Sequence, residues 1–294
     1  MTARAPLLDG LVPTEEAFSV ILFECLAHAS ANIPAVVEGH DSEALHQFRV
    51  GLRRLRTALG SFGKASPELM VLSERAKEIT LQVGPARDLD VFLDELLAPA
   101  VAQLGPQNGF AVLRSRAERA RERAWVQTFM ALTDPAMQLF QDDVAAAASA
   151  KLSDGDGRLC AVAPRLLGQH FKRAKKRGQT LETAPERHRL RIALKKLRYT
   201  SEFFAPLYKD KRVARFMAPL KELQDLLGHL NDTAQLRAIV GRLMLEEAGE
   251  AGMQADLSHA AGLLLGWHQA SAETKAAKMH KRWKAFQKAG VFWI

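Results

Sequence analysis

The chain has 294 residues, of which 48% are hydrophobic and 25% are charged, so it can build the packed core of one large or two smaller domains. Lysine and arginine outnumber aspartate and glutamate by 41 to 33, and the net charge of +8 favours an acidic partner over a basic one. Four tryptophans and two tyrosines argue against nucleic-acid binding by base stacking. Cys25 and Cys160 form neither a metal motif nor a disulfide framework, so we expect a cytoplasmic protein.

Residues 1–13 are interpreted as an N-terminal extension, and the first apolar run follows at Phe18–Leu26. Glu15 and Glu16 precede this run and Glu24 lies inside it, so it lacks the basic flank of a signal peptide. No other stretch approaches the roughly 20 apolar residues that span a bilayer. We therefore expect neither secretion nor a membrane partner.

The first strongly periodic segment lies between Leu45 and Phe62. Its apolar residues recur at steps of three and four, which places them on one face of a helix. Asp41 or Ser42 is positioned to cap the start of this helix, and Gly60 and Gly63 are predicted to end it. Alternation of the strand type is absent over more than about four residues. The sequence therefore predicts an all-α fold.

Glycine and proline breakers, Gly228 among them, divide the chain into about ten predicted helices. The Ser-Asp-Gly-Asp-Gly run at residues 153–157 is the best candidate for a boundary between domains. It separates a first helical bundle repeat, residues 14–152, from a second repeat, residues 158–294, which ends in a long C-terminal helix.

Two sequence blocks occur in both repeats. HQFRVGLRRLR from His46 aligns with HRLRIALKKLR from His188, at an offset of 142 (188 − 46). KEITLQVGPARD from Lys77 aligns with KELQDLLGHLND from Lys221, at an offset of 144 (221 − 77). Because both blocks recur in the same order at nearly the same spacing, we infer that the chain contains two related helical bundles.

The first block of each repeat carries a stripe of basic side chains beside its apolar face. Steps of three, four and three place these side chains one helical turn apart. The candidate binding residues are His46, Arg49, Arg53 and Arg56 on the first helix, His188, Arg191, Lys195 and Arg198 on the second, and the flanking Arg54 and Lys196. Like charges at this spacing destabilise a helix by roughly a few tenths of a kcal/mol per pair, so the stripes favour a bound anion.

A single stripe of this kind could equally be a solvated helix face, but its duplication together with a histidine favours a ligand. If the repeats pack around a pseudo-two-fold axis, the two stripes face each other across a groove that suits a linear polyanion. Arginine binds phosphate oxygens bidentately, and lysine acts as a point charge. If the histidines bind in the protonated form, affinity should rise as the pH falls through about 6.5.

Several further basic residues are candidates for additional phosphate contacts. A dense basic run precedes the basic helix of the second repeat, although such runs are often only solvated surface. The further candidates are Lys77, Arg87, Lys172, Arg173, Lys176 and Lys221.

The two His-x-x-Arg helices and the stretch Gly-Pro-Ala-Arg-Asp-Leu-Asp-Val from Gly84 make the sequence resemble the CHAD family, the conserved-histidine α-helical domain. The resemblance runs from about Thr14 to about Phe286. It implies one CHAD domain of two four-helix bundles related by pseudo-two-fold symmetry, with a basic groove or channel between them. It also implies binding of inorganic polyphosphate and association with polyphosphate granules. Arg87 is matched by Asn231 in the second repeat, so the two loops need not contribute equally.

We therefore expect a non-catalytic polyphosphate-binding protein without cofactor or metal. An enzyme that acts on phosphate polymers, either as a phosphohydrolase or with a metal ion, is one alternative. It is disfavoured because neither His46 nor His188 has a His, Cys or acidic residue three or four positions after it, and no nucleotide-binding, metalloprotease or nucleophile motif occurs. A general binder of polyanions is the other alternative, in which nucleic acid would compete through its phosphates. We expect nucleic acid to be only a weak, non-specific competitor.

Overall fold

The computed structural model describes residues 1–3, 6, 8–62, 66–149, 157–245 and 251–294, with backbone only at 251 and 252. Within these ranges the chain is all-α, as the sequence predicts, and has thirteen α-helices. The one strand-type pairing among the described residues is a bridge between Pro13 and Arg158. Most of the predicted linker at 153–157, and Gly63, lie outside the described residues.

The first half contains eight α-helices. They are α1 (Thr14–Ser30), α2 (Ile33–Gly39), α3 (Ser42–Phe62), α4 (Pro67–Gln82), α5 (Gly84–Val91), α6 (Ala98–Leu104), α7 (Asn108–Thr133) and α8 (Pro135–Ala148). A π-helical turn, Phe92–Leu97, joins α5 to α6 without a break. The thirteen α-helices of the described residues exceed the predicted total of about ten, partly because α2 and α6 are short helices of 7 residues each.

The second half contains five α-helices. They are α9 (Leu159–Arg177), α10 (Ala184–Phe204), α11 (Asp210–Leu245), α12 (Ala251–Ala276) and α13 (Met279–Lys288), with a 3-10 turn at Ala205–Leu207. The predicted helix boundary at Gly228 is wrong, because α11 continues through it for 36 residues. Leu227 and Leu230 on either side are buried, so packing of this helix outweighs the cost of about 1 kcal/mol for a glycine in a helix interior.

The two basic helices, α3 and α10, are equivalent in length and in their start signals. Each has 21 residues, and their first residues, Ser42 and Ala184, are 142 positions apart, the same offset as their sequence blocks. Oδ1 of Asp41 accepts hydrogen bonds from the first backbone N–H groups of α3, and Thr183 with Glu186 forms a capping box for α10. Helix α3 packs against α1 and α4, and α10 packs against α9 and α11.

The apolar residues form two clusters, and each cluster draws on both halves of the chain. The larger one joins α1, α3, α4 and α8 to α9, α10, α13 and the first part of α11, with Phe48 and Phe204 fully buried. The smaller one joins α5, the π-helical turn and α7 to α12 and the last part of α11, with Phe92 and Leu236 fully buried. The domain boundaries and the pseudo-two-fold relation stay predictions.

Residues 14–39 include the one helical stretch among the described residues that is long and apolar enough to cross a membrane, by length and composition alone. The buried core helix of a soluble protein passes the same test. Here α1 and α2 are separate helices, and Phe18, Ile21 and Leu22 lie fully buried against the rest of the larger cluster.

Candidate anion-binding site

Helices α3 and α10 contact each other, and two neighbouring cavities open beside this contact. The first has a volume of about 530 Å³ and the second about 500 Å³. Both are lined by His46, Arg53 and Lys195, so we describe them as the first and second chambers of one basic cavity. The cavity brings together basic side chains from both predicted stripes.

The first chamber contains most of the basic side chains. Five lysine or arginine residues line it, against three carboxylates. The basic residues are Arg49, Arg53, Arg87, Arg191 and Lys195, and the acidic ones are Asp88, Glu95 and Asp232. Helices α4, α5 and α11 complete the lining, so the chamber combines both copies of the two repeated sequence blocks.

Three arginines of this chamber have buried nitrogen atoms without a hydrogen-bond partner within the described part of the chain. These atoms are Nη1 of Arg49, Nε of Arg53 and Nε of Arg191. A buried donor without a partner costs about 1–3 kcal/mol, and more when it is charged. Three such donors around one cavity therefore indicate a site for an acceptor-rich anion.

Burial, and after it the neighbouring positive charges, lowers the pKa values of Lys195 and His46 in the first chamber. Burial, followed by the charges of Arg53 and Arg191, lowers the pKa of Lys195 to about 6. Burial, followed by Arg53 and Arg87, lowers the pKa of His46 to about 4. At neutral pH the ring of His46 is therefore uncharged, and the titration predicted near 6.5 moves to lower pH for this residue.

The carboxylates of the first chamber hold the arginines in place. Asp88 lies 3.8 Å from Nη2 of Arg49, and Glu95 lies 3.1 Å from Arg87. Burial is the main cause that raises the pKa of Asp88, and the charge of Asp232 adds to it. Asp88 and Asp232, at equivalent positions of the two repeats, are thus close enough for the charge of one to affect the other. Together they offset part of the positive charge of the first chamber.

The second chamber is lined by Arg54 and Arg198, and Glu202 binds both of them. Nε of Arg198 donates to Oε1 of Glu202 at 2.7 Å, and Nη1 of Arg54 donates to Oε2. Arg54 is 4% exposed and lies over the ring of Phe203. Arg54 thus belongs to a buried ion pair between α3 and α10, whereas the arginines of the first chamber are only half-buried.

His188 does not line the basic cavity, although His46, its counterpart in the other repeat, does. It is exposed, and its Nδ1 lies 2.7 Å from Oδ1 of Asn231. Both residues line an adjacent cavity of about 470 Å³, which shares Asn231 and Gln235 with the first chamber. The two histidines therefore occupy different environments. The repeats also differ beside them, since the second repeat has Asn231 at the position where the first has Arg87.

The remaining candidate residues lie outside both chambers. Nε of Arg56 donates to the backbone oxygen of Ser73 at 3.1 Å, and the nearby charges of Arg56 and Arg173 contribute, after burial, to lowering the pKa of Lys196. Lys77 pairs with Glu74. The four other residues, Lys172, Arg173, Lys176 and Lys221, are exposed on α9 and α11.

Two residues of the second chamber carry no signal in the sequence. Thr2 and Ala3, in the predicted N-terminal extension, line the second chamber. Gly84 lies so close to Arg49 that a Cβ atom there would be 2.9 Å from Nη1, whereas its counterpart Gly228 has open space.

Among the described residues, no three His, Cys, Asp or Glu side chains are grouped so that they could hold a metal ion.

Comparison with known proteins agrees with this architecture. The family model described as CHAD domain matches residues 20–241. The crystal structure of the CHAD domain from the plant Ricinus communis is similar, with a TM-score of 0.81 and 29% identity over 98% of this chain and 96% of that one. PptA from Streptomyces chartreusis shares the fold, with a TM-score of 0.66 and 16% identity over 93% of this chain and 100% of that one. No curated protein sequence matches the chain. With more than two thirds of its residues matched by the family model, the chain belongs to the CHAD domain family.

Proposed function

We propose that the protein binds inorganic polyphosphate in the basic cavity and does not catalyse its breakdown. The observation that carries this proposal is the convergence around one chamber of three buried arginine nitrogens, on Arg49, Arg53 and Arg191, which have no hydrogen-bond partner among the described residues. A phosphate chain offers oxygen acceptors at every unit, so it can satisfy such donors from both helices. Arginine pairs with phosphate oxygens in charge-assisted, bidentate hydrogen bonds.

The adjacency of the two chambers favours a linear ligand over a compact one. His46, Arg53 and Lys195 line both chambers, so a chain that passes between them stays in contact with basic groups from α3 and α10. A double helix of nucleic acid is too wide to enter between two helices in contact, whereas a single phosphate chain is thin. The proposed location in the cell is the cytoplasm, at polyphosphate granules.

Competition binding tests this function. A fluorescent long-chain polyphosphate is bound to the protein and displaced by unlabelled polyphosphate, pyrophosphate, single-stranded DNA or duplex DNA, at two salt concentrations. We expect polyphosphate to compete more strongly than either DNA per charge by at least about 100-fold at near-physiological salt. Equal competition by DNA, with loss of all binding at the higher salt, would mean a general polyanion binder. Release of orthophosphate from the bound polymer would mean an enzyme.

A further inference from the structure

A further cavity, of about 610 Å³, lies between α4, α7 and α8 and is separate from the basic cavity. Nine of its fourteen lining residues are apolar. They are Ile79, Leu81, Pro85, Ala124, Met130, Ala131, Ala136, Met137 and Phe140. We call it the apolar groove. The buried Met137 and Phe140 form its floor.

The apolar groove adjoins the first chamber of the basic cavity. Leu81 and Pro85, on either side of the junction between α4 and α5, line both spaces. Leu81 is 65% exposed, an unusual environment for a leucine beside a cluster of cations. One ligand could therefore contact the arginines of the chamber on one side of these two residues and the apolar groove on the other.

The charges of the apolar groove exclude the phosphate end of such a ligand. Arg75, its one basic residue, is already paired with Asp143. The remaining charged groups of the lining are the carboxylates of Glu78 and Asp134, which repel an anion. The two glutamines, Gln82 and Gln127, are exposed at the rim. The floor therefore offers apolar contact and no polar partner.

We infer that the apolar groove binds the hydrocarbon part of an alkyl or prenyl ester of a di- or polyphosphate, whose phosphates enter the first chamber. This inference rests on the proposed function, because it assigns the phosphates to the same basic residues. A hydrocarbon chain fits a floor without hydrogen-bonding groups better than a nucleoside, whose base and sugar would leave polar atoms unpaired there.

Geranyl diphosphate, inorganic pyrophosphate and ADP serve as probes, each displacing fluorescent long-chain polyphosphate from the full chain. Geranyl diphosphate and pyrophosphate both carry a diphosphate, so their difference reports on the hydrocarbon group. We expect geranyl diphosphate to bind at least about tenfold more tightly than pyrophosphate, since several methylene groups leave water. Equal affinity would overturn the inference.

The variant Met130→Glu places a charge in the apolar groove at a side chain that is 57% exposed, so folding is not at risk. Val126→Glu is the matched control, because Val126 is on the same helix, is 53% exposed and does not line the groove. We expect Met130→Glu to remove the advantage of geranyl diphosphate and Val126→Glu to retain it, with polyphosphate binding unchanged in both.

The outcomes separate this inference from the proposed function. Polyphosphate binding without any advantage for geranyl diphosphate overturns the inference alone, and so does an advantage that survives Met130→Glu. A Met130-dependent advantage for ADP would replace the hydrocarbon by a nucleoside and overturn the assignment. If neither polyphosphate nor any diphosphate binds, the proposed function and the inference both fail.

Discussion

Arg49 and Asp88 form an ion pair across the lining of the basic cavity, with 3.8 Å between Nη2 and Oδ1, while Nη1 of the same arginine is buried and has no hydrogen-bond partner in the described part of the chain. The carboxylate thus holds one side of the guanidinium and leaves the other side for a ligand. It also places a negative charge where a phosphate would bind.

The substitution Asp88→Asn should increase polyphosphate affinity by about threefold to tenfold. It removes a repulsive charge worth about 1 kcal/mol at a distance of several Å in a partly hydrated site. Displacement titration of fluorescent polyphosphate measures the change. Asp94→Asn is the control, because Asp94 is exposed in the π-helical turn outside the cavity. A loss of affinity in Asp88→Asn would show that the carboxylate serves mainly to orient Arg49.

The substitution Gly84→Ala should weaken polyphosphate binding by about tenfold or more, because the new Cβ would lie 2.9 Å from Nη1 of Arg49 and displace the guanidinium. Gly228→Ala is the matched control at the equivalent repeat position, where no atom lies within 4 Å. It should leave binding unchanged and stabilise α11 by up to about 1 kcal/mol. Equal binding by both variants would contradict the positioning of Arg49 by this close contact.

The substitution Glu202→Gln should destabilise the fold by about 3 kcal/mol, because it removes the negative charge from the buried ion pair with Arg54, whose side chain is 5% exposed. Glu222→Gln is the control. Its partner Arg282 and Glu222 itself are both about half exposed, so its loss should cost at most about 1 kcal/mol. Urea unfolding of the three proteins gives these values, and similar midpoints for both variants would contradict the structural role of Glu202.

Polyphosphate binding should take up protons between pH 7 and 8. Lys195 has a pKa of about 6 in the free protein, so it is mostly neutral at these pH values, and a bound polyanion raises that pKa. Affinity should therefore fall as the pH rises above about 6, and below it Lys195 should add no pH dependence. Calorimetric titration in two buffers of different ionisation enthalpy measures the uptake.

In the variant Lys195→Met this proton uptake should disappear. Its persistence would assign the proton to another group. His46 cannot supply it at neutral pH unless its pKa, about 4 in the free protein, rises by several units in the complex.

The sequence predicted the basic helices well, because helical periodicity and capping depend on residues that are close together in the sequence. Periodicity and a cap at Asp41 or Ser42 define α3, and the repeat that aligns His46 with His188 predicts α10 at the offset that the structure shows. The continuity of α11 through Gly228 was not predictable in this way, since the buried leucines on either side stabilise the helix through tertiary contacts. The π-helical turn after α5 likewise has no breaker to mark it.

Among the candidate site residues, helical spacing alone could not separate those that line the cavity from those that do not. Arg53 and Arg54 are adjacent in sequence, yet Arg53 keeps a buried nitrogen without a partner and Arg54 is bound to Glu202. His46 and His188 are equivalent in the repeat, yet only His46 lines the basic cavity. These differences arise from side chains of other helices, which a single helix pattern does not contain.

The central claim is that the groups shared by the two chambers bind the polymer. The double variant Arg53→Gln with Lys195→Gln removes the arginine and the lysine that line both chambers. Lys172→Gln with Lys221→Gln removes two exposed lysines outside the chambers and is the control. Direct titration with fluorescent long-chain polyphosphate at near-physiological salt is the most direct test. The account predicts at least about 100-fold weaker binding for the cavity variant, as two lost charge-assisted contacts imply, and less than about threefold for the control. Equal losses in both variants would contradict it and place the polymer on the general basic surface.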